Sequence, residues 1–295
     1  MKKALLALAA LALAATAQAR GYRHDNSISI TTADDENITS CDQIRVKFDG
    51  ERATMREEAL SAGSLRSLRA RTATNGGVHV TGWDRNDWSV VACKANAPGY
   101  EGTGYRPYLR GNELGVENDD EDRQSVVFFI VRAPRNAVLD LEARNGSIAV
   151  QDVSGSITAH TQNGPISLHS VGGKVEAEAQ NGPIAYTGSS GSIRLNAENG
   201  PISVKLDGTA WNGSLDAKTQ NGPLSLKIPR DYRSGVVVES DGHGPIKCRA
   251  EACREARRTF DDDDSRRIEL GSGATVVRMS TTNGPISVKE KNDED

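Results

Sequence analysis

Acidic side chains two residues apart are the groups in this chain best placed to do chemistry. Asp140 with Glu142, and Glu176 with Glu178, would share one face of an extended strand, the geometry from which an acid–base pair or a metal site is built. His160 falls midway between Glu142 and Glu178, so a zinc site from these three groups is conceivable if their strands lie side by side. Asp261 to Asp264 form an acidic run that could hold calcium weakly, although such runs are usually solvated loop. Catalysis on a polysaccharide needs carboxylates converging in a cleft, whereas these recur along the chain as a ladder. Only 4% of the residues are aromatic, too few for a sugar-stacking platform. No P-loop, dinucleotide fingerprint, nucleophile elbow or His-Glu-x-x-His motif occurs. His24, His79, His160, His169 and His243 have no metal-ligand spacing. The expectation is a chain without catalytic residues, resident metal or cofactor.

The elements that must position these groups are announced by a repeat. Asn145-Gly146-Ser147-Ile148 returns as Asn163-Gly164-Pro165-Ile166, Asn181-Gly182-Pro183-Ile184 and Asn199-Gly200-Pro201-Ile202. It continues as Asn221-Gly222-Pro223-Leu224 and Asn283-Gly284-Pro285-Ile286, with His243-Gly244-Pro245-Ile246 as a variant and Asn75-Gly76-Gly77-Val78 as a degenerate early copy. The step is about 18 residues and widens to about 22. A weaker Gly-Ser-Ile mark at Gly155, Gly191 and Gly213 falls between many of the corners, so each coil holds two corners and two strands. Residues alternate with period two, as in a strand with one buried face: Ile166 and Leu168 point one way, Ser167 and His169 the other. Glycine would supply a positive φ at the corner, and proline removes an N–H where its loss matters least. Asn-Gly between alternating runs ordinarily signals an antiparallel hairpin, but the near-constant step predicts coils stacked in parallel register. The pattern predicts an all-β fold: a single-chain parallel β-solenoid over residues 136–295, two strands per coil of about 18 residues.

Residues 1–19 read as a signal peptide: Lys2 and Lys3, an Ala/Leu run from Ala4 to Ala15, then the small-x-small pattern ending at Ala19. The run is too short for a spanning helix, so the mature chain is expected to be exported and not membrane-spanning. Residues 20–135 are less regular and read as a cap with early coils. Trp88 to Cys93 and Ser125 to Val131 look like strands, and residues 52–71, with Leu60, Leu65 and Leu68, could hold a helix leading into the first coil. Residues 249–266 interrupt the repeat as an insert, read as a loop or short helix clipped by nearby cysteines. Four cysteines in an exported protein suggest two disulfides. The favoured pairing is Cys41 with Cys93 and Cys248 with Cys253, since each pair then staples one end. The absence of a Cys/His cluster at short spacing argues against zinc.

Asn75-Gly76-Gly77-Val78-His79-Val80-Thr81-Gly82-Trp83-Asp84, followed by the Asn-Gly-Pro-Ile series, resembles the bacterial putative-adhesin family of exported β-strand-repeat proteins, whose domain has no known function. The resemblance covers most of the chain beyond its N-terminal quarter. It implies a single-chain β-solenoid and an envelope location, and it brings no catalytic residues. The insert at 249–266 departs from the family's regularity.

Stacked coils would place equivalent residues about 4.8 Å apart in columns. Before each corner the columns read Asp140, Thr158, Glu176, Arg194, Asp216 and Glu142, His160, Glu178, Asn196, Lys218, with the mixed signs that a solvated ladder needs. After each corner the first outward positions are small: Ala149, Ser167, Ala185, Ser203, Ser225 and Ser287. The next turn basic toward the C-terminus at Lys205, Lys227, Arg249 and Lys289, with Lys247 nearby. Such a face could lie along an anionic polymer, and its lysines would also discourage sheet-to-sheet aggregation. A net charge of −4 argues against nucleic acid as a partner. The leading expectation is a non-catalytic cell-envelope or surface protein of the periplasm or cell surface, adhesin-like, binding an envelope polysaccharide or another envelope protein. A periplasmic accessory or stress-related protein that presents the solenoid to another protein is the alternative. A polysaccharide-active β-helix enzyme is the weakest reading.

Overall fold

The computed structural model describes residues 27–32, 38–100, 104–117, 124–242, 244–260 and 266–291. The expected signal peptide, His24, His243 and Asp261 to Asp264 lie outside them. The described residues form an all-β structure without an α-helix, in which an 11-stranded and a 12-stranded sheet carry the repeats. Strands that follow an Asn-Gly corner enter the 11-stranded sheet, and strands that precede one enter the 12-stranded sheet. Alternation in the sequence becomes alternation in burial. In Ser156–Asn163 the side chains of Ile157, Ala159 and Thr161 are buried while Thr158 and His160 are exposed. The apolar positions of both sheets meet in one continuous core running from Leu68 to Val288, so each coil buries its face only because neighbours stack on it.

The pairing through the repeats is parallel. After the corners, Ile148–Gln151 pairs with Ile166–His169, that with Ile184–Gly188, and so on through Ile202–Leu206 and Leu224–Ile228. Before the corners, Val138–Ala143, Ser156–Asn163, Lys174–Asn181, Ser190–Asn199 and Asn212–Asn221 pair in the same order. The Asn75-Gly76 copy is a working coil: Ser67–Arg71 pairs with Val138–Ala143, and Val78–Trp83 with Ile148–Gln151.

Two forces hold the corners. The asparagines form an amide ladder, each Nδ2 donating to the preceding Oδ1: Asn163 to Asn145 at 2.9 Å, Asn181 to Asn163 at 3.0 Å, Asn199 to Asn181 at 3.1 Å, Asn221 to Asn199 at 3.0 Å. The proline gives up its N–H, but its carbonyl accepts from the neighbouring coil, as in Ile166 N to Pro183 O at 2.9 Å. The corner glycines differ from expectation. Their φ angles are not positive; positive φ occurs at Gly191 and Gly213 on the opposite corners. A Cβ at Gly182 would instead lie 2.0 Å from the Gly164 carbonyl oxygen, so close stacking of backbones is what excludes every other residue. The buried threonines at strand ends serve the same corners: Thr219 Oγ1 donates to Gly200 O at 2.9 Å and Thr281 Oγ1 to Gly222 O at 3.1 Å.

At the N-terminal end, residues 52–71 hold no helix. Met55–Leu60 is an edge strand antiparallel to Ser89–Asn96, and Ser67–Arg71 is a strand with Leu68 and Ala70 buried. Sheet pairing in both strands, with period-two burial in Ser67–Arg71, overrides the helix-forming Ala, Leu, Glu and Arg side chains there. Ser125–Pro134 is buried on both faces. Val127, Phe129 and Val131 face the main core, while Val126, Phe128 and Ile130 face a second core under a small antiparallel sheet of Ile28–Thr32, Ile44–Phe48 and Glu51–Arg52. Cys41–Cys93 ties this sheet to the stack, and Cys248–Cys253 closes a short turn at the other end.

The C-terminal coils are not stacked in chain order. Thr275–Asn283 inserts between Asn212–Asn221 and Gly235–Ser240, and Ile286–Glu290 inserts between Leu224–Ile228 and Ile246–Cys248. Asn283 therefore extends the amide ladder directly from Asn221, at 2.9 Å. In sequence, the coil bypassed in this way has His243 where the others have asparagine. The insert supplies a 3-10 turn, Glu251–Arg254, and then strands rather than a loop: Arg257–Phe260 and Arg266–Leu270 pair antiparallel at the sheet's end.

Candidate functional site

On the sheet preceding the corners, the columns form in the expected register. Asp140, Thr158, Glu176, Arg194, Asp216 and Arg278 lie in one row, and Glu142, His160, Glu178, Asn196, Lys218 and Ser280 in the next. Their charges pair along the rows. Arg69 Nε is 2.9 Å from Asp140, Arg71 pairs with Glu142, and Arg194 Nη1 is 4.0 Å from Glu176. His160 Nδ1 lies 3.5 Å from Glu178, but Glu142 is taken by Arg71. Among the described residues no three side chains of His, Cys, Asp and Glu converge on a metal position. This face is a solvated ladder whose exposed pairs are each worth little.

The opposite sheet is built differently. Its first outward column runs His79, Ala149, Ser167, Ala185, Ser203, Ser225, Ser287, Lys247, and its second runs Thr81, Gln151, His169, Thr187, Lys205, Lys227, Lys289. No acidic residue stands in either column. The register corrects two details of the expected basic row. Lys289, not Arg249, stands beside Lys227, because the last coil inserts there. Lys247 lies in the small-residue column next to Ser287, while Arg249 N donates to Val288 O at 2.9 Å beside Lys289. The small-residue face is also shorter than expected. Ala149 is buried and lines one small pocket with Ile38, His79 and Ser167, so the exposed part of the column begins beyond Ser167. His79, buried there, has Nε2 3.2 Å from Ser147 Oγ. The corner asparagines Asn145, Asn163, Asn181, Asn199, Asn221 and Asn283 are committed to the ladder between the two sheets.

Where the lysine row ends, the disulfide-clipped turn closes one side of an open cleft of about 600 Å³. Arg230, Arg249, Arg254 and Arg258 line it together with Glu251 and Glu290. Arg230 Nε is 2.6 Å from Glu251 Oε2, and Arg254 Nη1 is 3.8 Å from the other oxygen. Glu290 Oε1 accepts the Glu251 backbone N–H at 3.3 Å. The hydrogen bond from Arg230 holds the Glu251 carboxyl below the usual carboxylate range, and the same contact raises the Arg230 guanidinium. Both carboxylates are thus engaged within the cleft, while Arg249 and Arg258 form no ion pair among the described residues. Arg230, Arg254 and Arg258 were not singled out from sequence. The only signal was the density of arginine around Cys248 and Cys253, and Arg230 joins from a strand end distant in sequence.

No helix among the described residues is long and apolar enough to cross a membrane. No family model matches the chain, and no curated protein is significantly similar to it. Solved structures that resemble it include two described as adhesion proteins. A putative cell adhesion protein from Clostridium sporogenes is 7% identical with a TM-score of 0.29, the match covering 81% of this chain and 100% of that one. A putative adhesin from Bacteroides fragilis is 11% identical with a TM-score of 0.35, covering 81% of this chain and 97% of that one.

Proposed function

We propose that the chain is an exported, non-catalytic β-solenoid of the cell envelope that binds an anionic envelope component, such as a polysaccharide, along its post-corner sheet. The observation that carries this reading is the separation of charge between two faces of one stack. The chain as a whole is mildly acidic, and the pre-corner face mixes and pairs its charges. The post-corner face holds Lys205, Lys227 and Lys289 in one row with no acid in either outward column. A row of lysines presented on adjacent strands is a charge pattern that attracts an extended polyanion. The small side chains beside the row leave the sheet flat enough for an extended polymer. Export is supported by the leader-like start of the sequence and by two disulfides, which persist in oxidising compartments.

The test is co-sedimentation of the oxidised, leader-free protein with isolated envelope fractions at low and high salt. Pelleting should weaken as salt rises, and reversing charge at Lys205, Lys227 and Lys289 should abolish it. Absence of pelleting at low salt would point instead to a soluble protein partner.

A further inference from the structure

We propose that the arginine cleft at the C-terminal end of the stack binds a phosphate group. This inference rests on the polyanion reading above and names the chemistry that the polymer would carry. Among the described residues that line the cleft, every cation is a guanidinium. These groups recognise a ligand through charge and directed hydrogen bonds. Arginine presents a planar fork that engages two oxygens at once. A carboxylate ligand is satisfied by one such fork. Arg249 and Arg258, which form no ion pair among the described residues, offer two forks that suit an oxyanion with more than two accepting oxygens.

Placement supports the same ligand. Arg249 follows Ile246–Cys248 and Arg258 lies within Arg257–Phe260, so the two side chains come from different sheets. The Cys248–Cys253 bridge joins the end of the first of these strands to the 3-10 turn between them. Glu251, the carboxylate within the loop that the bridge closes, is occupied by Arg230 and Arg254. Among the described residues that line it, the cleft has four guanidiniums against two carboxylates, an excess of two positive charges. It also stands where the row Lys205, Lys227, Lys289 ends, so a chain bearing repeated phosphates could occupy the row and the cleft together.

Isothermal titration of the oxidised, leader-free protein with inorganic phosphate and with a polyphosphate of about ten units tests the proposal. Both arginines are exposed, so Arg249→Ala with Arg258→Ala should leave the fold intact by circular dichroism. That double variant should weaken polyphosphate binding about tenfold or more. Lysine at both positions keeps the charge and loses the fork, and should restore little of the affinity. If inorganic phosphate binds with the same dependence on the arginines, the site takes the free ion as well; if only polyphosphate does, the group is read on a polymer. Unchanged affinity for both probes in the arginine variant overturns the cleft proposal. If Lys205→Gln with Lys227→Gln then weakens polyphosphate binding or envelope pelleting, the face reading survives without the cleft.

Discussion

At the scale of single residues, the stack is specified by atoms that are missing. Each corner glycine lies against the carbonyl of the corner before it, and at Gly182 a methyl group would approach that oxygen to 2.0 Å. Both partners in this clash are backbone, and the same contact recurs in the coils on either side, so nothing nearby can yield. Gly182→Ala is expected to destabilise the protein by about 3 kcal/mol. Gly63 makes a fair control: a Cβ there meets nothing within 4 Å and its φ is not positive. Gly63→Ala should stay within about 0.5 kcal/mol of the parent. Urea midpoints compare the two directly, and equal midpoints would show that the corners tolerate a side chain. The asparagines add direction to this contact, since an amide can donate to one neighbour and accept from the other along the whole row.

Elements divide into those that repeat and those that finish the repeat. The repeating strands need only alternation, because each lies between two near-copies of itself. The antiparallel sheet of Ile28–Thr32, Ile44–Phe48 and Glu51–Arg52 has its own small core, and one disulfide joins it to Ser89–Asn96. Cys41 and Cys93 are 52 residues apart, and the loop-entropy account assigns such a bridge about 4 kcal/mol, against about 2 kcal/mol for the five-residue separation of Cys248 and Cys253. Cys41→Ser with Cys93→Ser should therefore loosen the cap before the stack. Limited proteolysis of that variant should cut first within residues 27–53 and leave the fragment beyond it resistant. First cuts among the Asn-Gly corners would mean that the cap and stack fold as one unit.

For the whole molecule, the decisive feature is the insertion of the last coil between two earlier ones. An array stacked in chain order loses only its outermost coil when its C-terminus is removed. Here, a chain ending after Leu270 would leave Asn212–Asn221 and Gly235–Ser240 without the strand that pairs with both. The apolar ends of Leu215, Ala217 and Leu224 would be uncovered at the same time. The truncated protein should aggregate or lose much of its strand signal, seen by size-exclusion chromatography with light scattering and by circular dichroism. A monodisperse product with unchanged signal per residue would contradict this dependence. The insertion also shapes the face proposed to bind a polyanion, because it brings Lys289 next to Lys227 and sets Arg249 at the end of the row.

The sequence by itself determined what depends on neighbours at a constant step: the all-β class, the parallel pairing, the charge columns before the corners down to the residue, and both disulfides. The first three follow because one rule, alternation plus a recurring corner, carries register from one copy to the next, whereas the disulfide pairing follows from four cysteines placed two at each end. What lacked that repetition was decided only in the tertiary structure. Residues 52–71 became strands because partners distant in sequence offered unpaired edges. The corner glycines answered to a carbonyl in the next coil rather than to their own φ. The order of the last coils was set by pairing between segments far apart in sequence, Thr275–Asn283 lying beside Asn212–Asn221, which a step along the chain does not record. The arginine cleft is a product of that same outcome, assembled from Arg230, Arg249, Arg254 and Arg258 once the final coil had taken its place.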